Sequence, residues 1–279
     1  MLATLVIFLR EGVEASMIIA ILLAYLDRTG HREYFRDVYL GVGAALVLAG
    51  GGGVIAYHTV KQYDGSRAQT IFETCTYLLA AAVLTYMTFW MRAHARGLSA
   101  DLRARTDAAI SGKARTGMAL LAFQAVGREG LETVVFTLAI LFSSSHAGGA
   151  LPGALLGLAI ALVIAFVIYR LGHRVNLGKF FSVIGALLMV FAAGLLVDAV
   201  QNMQELGWLP GAGVQLWHTG GILSEDTTVG DMMHSFFGYA DSPTVLQALV
   251  YVGYLAVSLL AFFNVWQRLG RRNAATLAN

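Results

Sequence analysis

Apolar residues gather into seven runs along this chain, at roughly 2–26, 38–57, 70–91, 117–142, 153–171, 180–200 and 246–267, with short polar stretches between them. Each run is long enough for a transmembrane helix, for which about 20 residues suffice. The pattern predicts an all-α polytopic membrane protein with seven transmembrane helices.

The basic residues orient those helices. Arg28, Arg32 and Arg36 follow the first span, while Arg92, Arg96, Arg103, Arg105, Lys113 and Arg115 follow the third. Arg170, Arg174 and Lys179 follow the fifth, and Arg268, Arg271 and Arg272 lie in the tail. The other side has only Lys61 and Arg67, and Arg10 and Arg128 fall within spans, so the nineteen divide as fifteen, two and two. The positive-inside rule then puts the N-terminus outside and the C-terminus in the cytoplasm of a cell inner or plasma membrane.

Three spans, a basic loop and three more spans suggest an internal repeat. An odd number of spans per half makes the halves run in opposite directions, as in many transporters. The predicted organisation is a three-helix repeat over 1–91, a basic cytoplasmic loop over 92–116, a second repeat over 117–200, an acidic extracytoplasmic loop over 201–245, and a seventh helix with its tail over 246–279. In the loop 92–116 the Arg residues mix with Asp101 and Asp107 at helical spacing, which reads as a surface helix against the anionic inner leaflet. The second spans of both halves are Gly-rich, and Gly153-x-x-x-Gly157 forms a small-xxx-small face.

Composition agrees. The chain is 57% hydrophobic and 13% charged, whereas about a quarter of residues in soluble domains are charged. A net charge of +2, with basic residues scattered among short loops, gives no footprint for nucleic acid. The single cysteine, Cys75, rules out an intrachain disulfide and a thiolate metal cluster. The start lacks a basic n-region and is broken by Arg10, Glu11 and Glu14, so the first run reads as a retained span rather than a signal peptide.

Those charges hold the candidate chemistry. Arg10-Glu11-Gly12-Val13-Glu14 has a near copy 118 residues on, Arg128-Glu129-Gly130-Leu131-Glu132, and each falls near the middle of the first span of its half. A charge near the bilayer centre costs about 2.5–3.5 kcal/mol on insertion scales, so such residues are rare without a purpose. At about 100° per residue the Arg and the last Glu lie about 40° apart, with the inner Glu about 60° further round. Gly12 and Gly130 lack a Cβ, which lets another helix come close. Four Glu with two Arg leave a formal charge of minus two. A divalent ion would neutralise that, a trivalent ion would bring it to plus one, and no anion fits. Carboxylates are hard oxygen ligands suited to hard cations. An adjacent Arg favours their ionised form and can orient the oxygens through bidentate hydrogen bonds. The plainer alternatives are an interhelical ion-pair network and a proton relay without metal.

Further acids stand as candidates for an access route. Glu73 lies near the outer end of the third span, as a ligand or as an interfacial carboxylate, and Asp198 is its rough counterpart in the sixth. The outer loop carries Glu205, Glu225, Asp226, Asp231 and Asp241 with His218 and His234. Its acidity could attract a cation, although topology alone explains its lack of Lys and Arg. Tyr86, Met87 and Trp90 read as packing and interface residues.

The paired Arg-Glu-x-x-Glu motifs, in spans one and four of seven, resemble those of the oxidase-dependent iron permease family, which has fungal and bacterial members. The run Leu84 to Arg92 (Leu-Thr-Tyr-Met-Thr-Phe-Trp-Met-Arg) also resembles bacterial members. The resemblance covers nearly the whole chain. It implies an iron permease carrying ferric ion after external oxidation of ferrous ion. Glu11, Glu14, Glu129 and Glu132 would then bind the metal, with Arg10 and Arg128 balancing its charge. It also implies an extracytoplasmic partner that oxidises or delivers iron: a cupredoxin-like lipoprotein and a haem peroxidase in bacteria, a multicopper oxidase in fungi. No bound organic cofactor is expected, and the chain reads as a transporter rather than an enzyme. The outer loop departs from the fungal proteins in having no clear copy of their short acidic motif. A divalent carrier of ferrous or manganous ion could use the same site. A membrane redox or electron-transfer subunit is the reading from another class, and it lacks a haem or thiol arrangement: the seven histidines, His31, His58, His94, His146, His173, His218 and His234, lie mainly in loops or near span ends.

Overall fold

The computed structural model describes residues 1–94, 98–111, 115–144, 149–171 and 177–276. Among the predicted orienting and histidine positions, Arg96, Lys113, His146, His173 and Arg174 lie outside them.

Helices dominate the described residues because apolar runs meet no internal breaker. Pro152 sits in the first turn of its helix, where a missing N–H is harmless, and Pro210 and Pro243 lie between helices. The long helices are α1 (Leu2–Arg28), α2 (Phe35–Lys61), α3 (Arg67–His94), α5 (Arg115–Ser143), α6 (Ala150–Leu171), α7 (Leu177–Glu205) and α9 (Val245–Thr276). Two shorter ones, α4 (Leu98–Ser111) and α8 (Thr228–Phe237), fall in the predicted loops 92–116 and 201–245. Five helices are apolar and long enough to cross a membrane: α2, α3, α6, α7 and α9. The other two long helices, α1 and α5, each carry a three-charge motif in an otherwise apolar stretch.

Several threonine hydroxyls in the helices are satisfied locally, which suits a medium without water. Thr74, Thr85 and Thr88 of α3, and Thr133 and Thr137 of α5, each donate to the carbonyl four residues back at 2.6–2.8 Å.

The packing sorts the helices. Phe191, Ala192, Leu195 and Ala199 of α7 are buried, together with Tyr77, Ala80 and Leu84 of α3, so these two form the centre. Val47 of α2, Val163 of α6 and Leu260 of α9 instead turn outward from the periphery, exposed by 73%, 62% and 64%. In water that apolar surface would be unfavourable, and its natural neighbour is lipid.

α1 packs most extensively on α6, and α5 on α2. Glycines set both approaches. A Cβ on Gly153 would stand 2.4 Å from the Met1 carbonyl oxygen, and one on Gly41 would stand 2.1 Å from that of Ala119. A Cβ on Gly12 would meet Ala161 at 2.8 Å, and one on Gly130 would meet Ala49 at 3.0 Å. Each contact maps onto its counterpart when the α1 residue advances by 118 positions and the α2 residue by 112. Gly153-x-x-x-Gly157 is thereby used within the chain, since Gly157 lies against Leu5 and Phe8 of α1.

Candidate cation site

On α1, Val6, Ile7 and Val13 are buried with Arg10, Glu11 and Glu14, so the charged residues share the inward side of the helix. Arg10 Nη1 donates to Glu11 Oε1 at 2.8 Å, and Arg10 Nε lies 3.0 Å from Glu14 Oε1. The second contact is an ion pair without hydrogen-bond alignment, which leaves Glu14 Oε1 with no hydrogen-bond partner. All three side chains are only 4% exposed.

The copy on α5 is held differently. Arg128 Nε donates to Glu132 Oε1 at 3.0 Å, its Nη2 reaches Met87 Sδ at 2.8 Å, and its guanidinium lies 5.0 Å from the Trp90 ring centre. Stacking of this kind is a use to which Arg is suited by its planar, weakly hydrated head group. The Arg128 side chain is 44% exposed, so equivalent motifs sit in unlike surroundings.

Carboxylate oxygens of Glu11, Glu14 and Glu129 lie within 4.8 Å of one another, and all three residues are buried. Glu132 is not one of this trio. It is tied to Arg128, near enough to Arg10 and Glu14 for their charges to interact. Glu11 Oε2, Glu129 Oε2 and Glu132 Oε2 are buried without hydrogen-bond partners, as is Arg10 Nη2. Buried acceptors left unpaired cost free energy; a cation among them would satisfy several at once.

A cavity of about 210 Å³ leads from Glu14, Arg128 and Glu129 past Gln124 to Asp101, Leu102 and Arg105 of α4. α4 belongs to the bundle: Leu102 packs with Leu22, Leu26 and Met118, and Asp107 accepts a 2.6 Å hydrogen bond from Tyr25. Toward the opposite end, where α8 lies, the interior is filled by Ile7, Tyr77, Leu84, Phe136, Phe191 and Phe236.

The remaining predicted acids scatter around the α8 end. Glu73 accepts from Gln69 at 2.8 Å, Glu205 is exposed at the end of α7, and Asp226 is exposed before α8. Three others surround His234. Asp198 is 3.4 Å from its Nε2, Glu225 is 3.8 Å from its Nδ1, and Asp231 precedes it by one turn of α8. Burial opposes charging of His234, but Asp198, Glu225, Asp231 and the Tyr239 carbonyl outweigh it, raising its pKa above the ordinary histidine value. Sequence reasoning read Met87 and Trp90 as packing and interface residues and missed them, with Gln124, as neighbours of the acids. Only the place of Met87 and Trp90 within the family-like run of α3 hinted at two of them.

These features define a helical membrane protein whose buried acids gather between two helices. The chain belongs to the iron permease FTR1 family, whose model matches residues 1–272. It is similar to the ferrous iron permease EfeU of Yersinia pestis, 34% identical over 266 residues, spanning 94% of this chain and 93% of that one. It is also similar to the ferrous iron permeases EfeU of Yersinia pseudotuberculosis, 35% identical over 269 residues (94% and 93%), and of Escherichia coli O6:K15:H31, 34% over 264 residues (94% and 95%). No solved structure matches. The chain is therefore an iron-transport permease with transmembrane helices.

Proposed function

We propose that this permease carries ferric iron, oxidised outside, across the cytoplasmic or plasma membrane through the acids of α1 and α5. The observation that carries the proposal is the trio of buried carboxylates from both helices, Glu11, Glu14 and Glu129, close enough together to share one ion. An all-oxygen donor set favours a hard, highly charged cation. Arg10 offsets the repulsion of the acids and orients two of them, and Glu132 would join as Arg128 releases it.

The seven long helices are taken as seven spans, with the halves as inverted repeats. The mirrored glycine contacts support that reading. With the basic loops inside, α4 marks the cytoplasmic end and α8 the outer one. The cavity beneath Glu14 and Glu129 then represents a state open toward the cytoplasm, and the aromatic packing near α8 is the closed outer gate. The oxidation step is assigned to an extracytoplasmic partner of the cupredoxin or peroxidase kind.

A second reading, transport of ferrous ion, is favoured by the printed name of the similar EfeU proteins. Uptake by reconstituted vesicles distinguishes the two, with ferric citrate offered in one arm and ferrous iron under ascorbate in the other. Glu11→Gln and Glu129→Gln should each lower uptake severely at equal abundance in the membrane. Normal uptake by both variants would reject the shared site.

A further inference from the structure

The α8 end holds a second set of ligand atoms, separated from the carboxylate trio by the aromatic core. Asp198 is 6% exposed, on the face of α7 turned toward α8. Its Oδ2 accepts a 2.6 Å hydrogen bond from Ser143 Oγ, while Oδ1 is buried with no hydrogen-bond partner. Facing it is His234 Nε2, at 3.4 Å and without hydrogen-bond alignment, an ion pair only when the ring is protonated. On the far side of the ring, Nδ1 lies 2.8 Å from the Tyr239 carbonyl oxygen. A carbonyl can only accept, so Nδ1 carries the proton and donates. When the ring is neutral its lone pair is therefore on Nε2, facing a carboxylate oxygen that has no hydrogen-bond partner.

Two acceptors facing each other require a proton or a metal ion between them. Metal-binding histidines commonly donate their second ring N–H to a backbone carbonyl, which fixes the tautomer. Here Tyr239 supplies that carbonyl. It is positioned by Gly238 at the α8 C-terminus, whose φ of 66° only glycine adopts without strain. Gly238 in turn packs against Gly194 of α7, where a Cβ would stand 2.5 Å from the Gly194 Cα. Asn202, one turn beyond Asp198 on the same face of α7, holds another buried polar atom without a partner, Nδ2. Its amide can turn to present oxygen instead.

We infer that Asp198 and His234 form an outer docking site for a divalent first-row transition ion, distinct from the carboxylate trio. An imidazole suits such an ion better than an oxygen-only cage does. Two preset protein ligands hold it loosely enough to hand it on, with water completing the shell. Metal binding here does not depend on the transport reading; only the label "outer" rests on it.

The test is anaerobic equilibrium dialysis of the purified full-length chain against ferrous ion. Glu11→Gln/Glu14→Gln/Glu129→Gln removes the trio and should still bind one ferrous ion per chain. Adding Asp198→Asn, which can keep the Ser143 hydrogen bond, or His234→Gln should weaken that binding by more than about tenfold, since even loss of a second-layer partner costs about 10–100-fold in metal affinity. His218→Gln, at an exposed histidine bonded to Ser242, should leave it unchanged. No ion bound by the triple variant, or unchanged binding after Asp198→Asn and His234→Gln, overturns the inference. The trio is judged separately, by the ion that the wild type binds and the triple variant does not.

Discussion

Arg10 gives the sharpest test of whether the buried charges serve transport or only cohesion. Its side chain is 4% exposed, bonded to Glu11 at 2.8 Å and paired with Glu14 at 3.0 Å. Arg10→Met leaves three buried carboxylates within 4.8 Å of one another and takes away the cation bonded to two of them. Removing one partner of a buried pair costs about 3–5 kcal/mol, a large share of a stability of about 5–15 kcal/mol. Arg10→Met/Glu14→Leu removes the Arg10–Glu14 pair whole and returns the formal charge of the two motifs to minus two, although Glu11 still loses its donor. Replacing a whole buried pair with apolar side chains of similar size is often neutral or stabilising by about 1–4 kcal/mol. The double variant should therefore be more stable than Arg10→Met alone, and the cycle should show a coupling of up to about 3 kcal/mol. Unfolding in detergent gives stability, and uptake by vesicles from the same preparations gives function. Stability should recover in the double variant while iron uptake stays abolished. Uptake that returns together with stability would reduce the network to a clamp between helices, and an Arg10→Met protein as stable as wild type would refute the energetic reasoning itself.

Three other outcomes are expected. Gly41→Val puts side-chain atoms where the Ala119 carbonyl stands, so α2 and α5 must move apart at a cost of about 1–3 kcal/mol; Gly50→Ala, into open space, should stabilise by about 0.5–1 kcal/mol, and thermal unfolding compares the two. Arg128→Lys loses the forked donors and the Trp90 stacking; because the side chain is 44% exposed, stability should change by less than about 1 kcal/mol while uptake falls clearly, as paired melting and uptake curves would show. Gln124→Trp fills part of the cavity below the acids and should slow uptake while iron remains bound to the purified protein, read by metal analysis after washing.

The long helices were legible because apolar length is a local property of the chain. All seven appear at the predicted runs, five of them within a few residues at both ends, while α7 continues to Glu205 and α9 to Thr276. α4 was legible as a surface helix but not as part of the bundle, and α8 was not legible at all. Neither is long or apolar enough to stand out, and each is stabilised by distant packing, as when Leu102 buries against Leu22 and Leu26. In the site, helical periodicity put Arg10, Glu11 and Glu14 on one side of α1, and the lack of a side chain at Gly12 and Gly130 foretold close helix contacts, with Ala161 and Ala49. Which carboxylates converge depends on how far α1 and α5 slide and rotate against each other. That is set by surfaces far apart in sequence, so Glu132 could not be told from Glu129. His234 and Asp198, 36 positions apart, were likewise brought together only by the fold.

The unequal burial of two nearly identical motifs is itself informative. Local sequence cannot cause it, because the two five-residue stretches differ only at Val13 and Leu131. The cause is position: Arg10 is enclosed by the bundle, whereas Arg128 borders the cavity that runs to α4. In a carrier built from inverted halves, opening to one side and then to the other exchanges the surroundings of the halves. One end state would therefore enclose the Arg of one motif and leave that of the other beside the open cavity, as Arg10 and Arg128 are found here. Arg128 would leave Trp90 on that exchange, so iron binding that shifts the conformation should change Trp90 emission, measured as the difference from a Trp90→Phe control. An emission unmoved by iron, in protein that still transports it, would mean that Arg128 stays in place throughout and that the two halves do not trade roles.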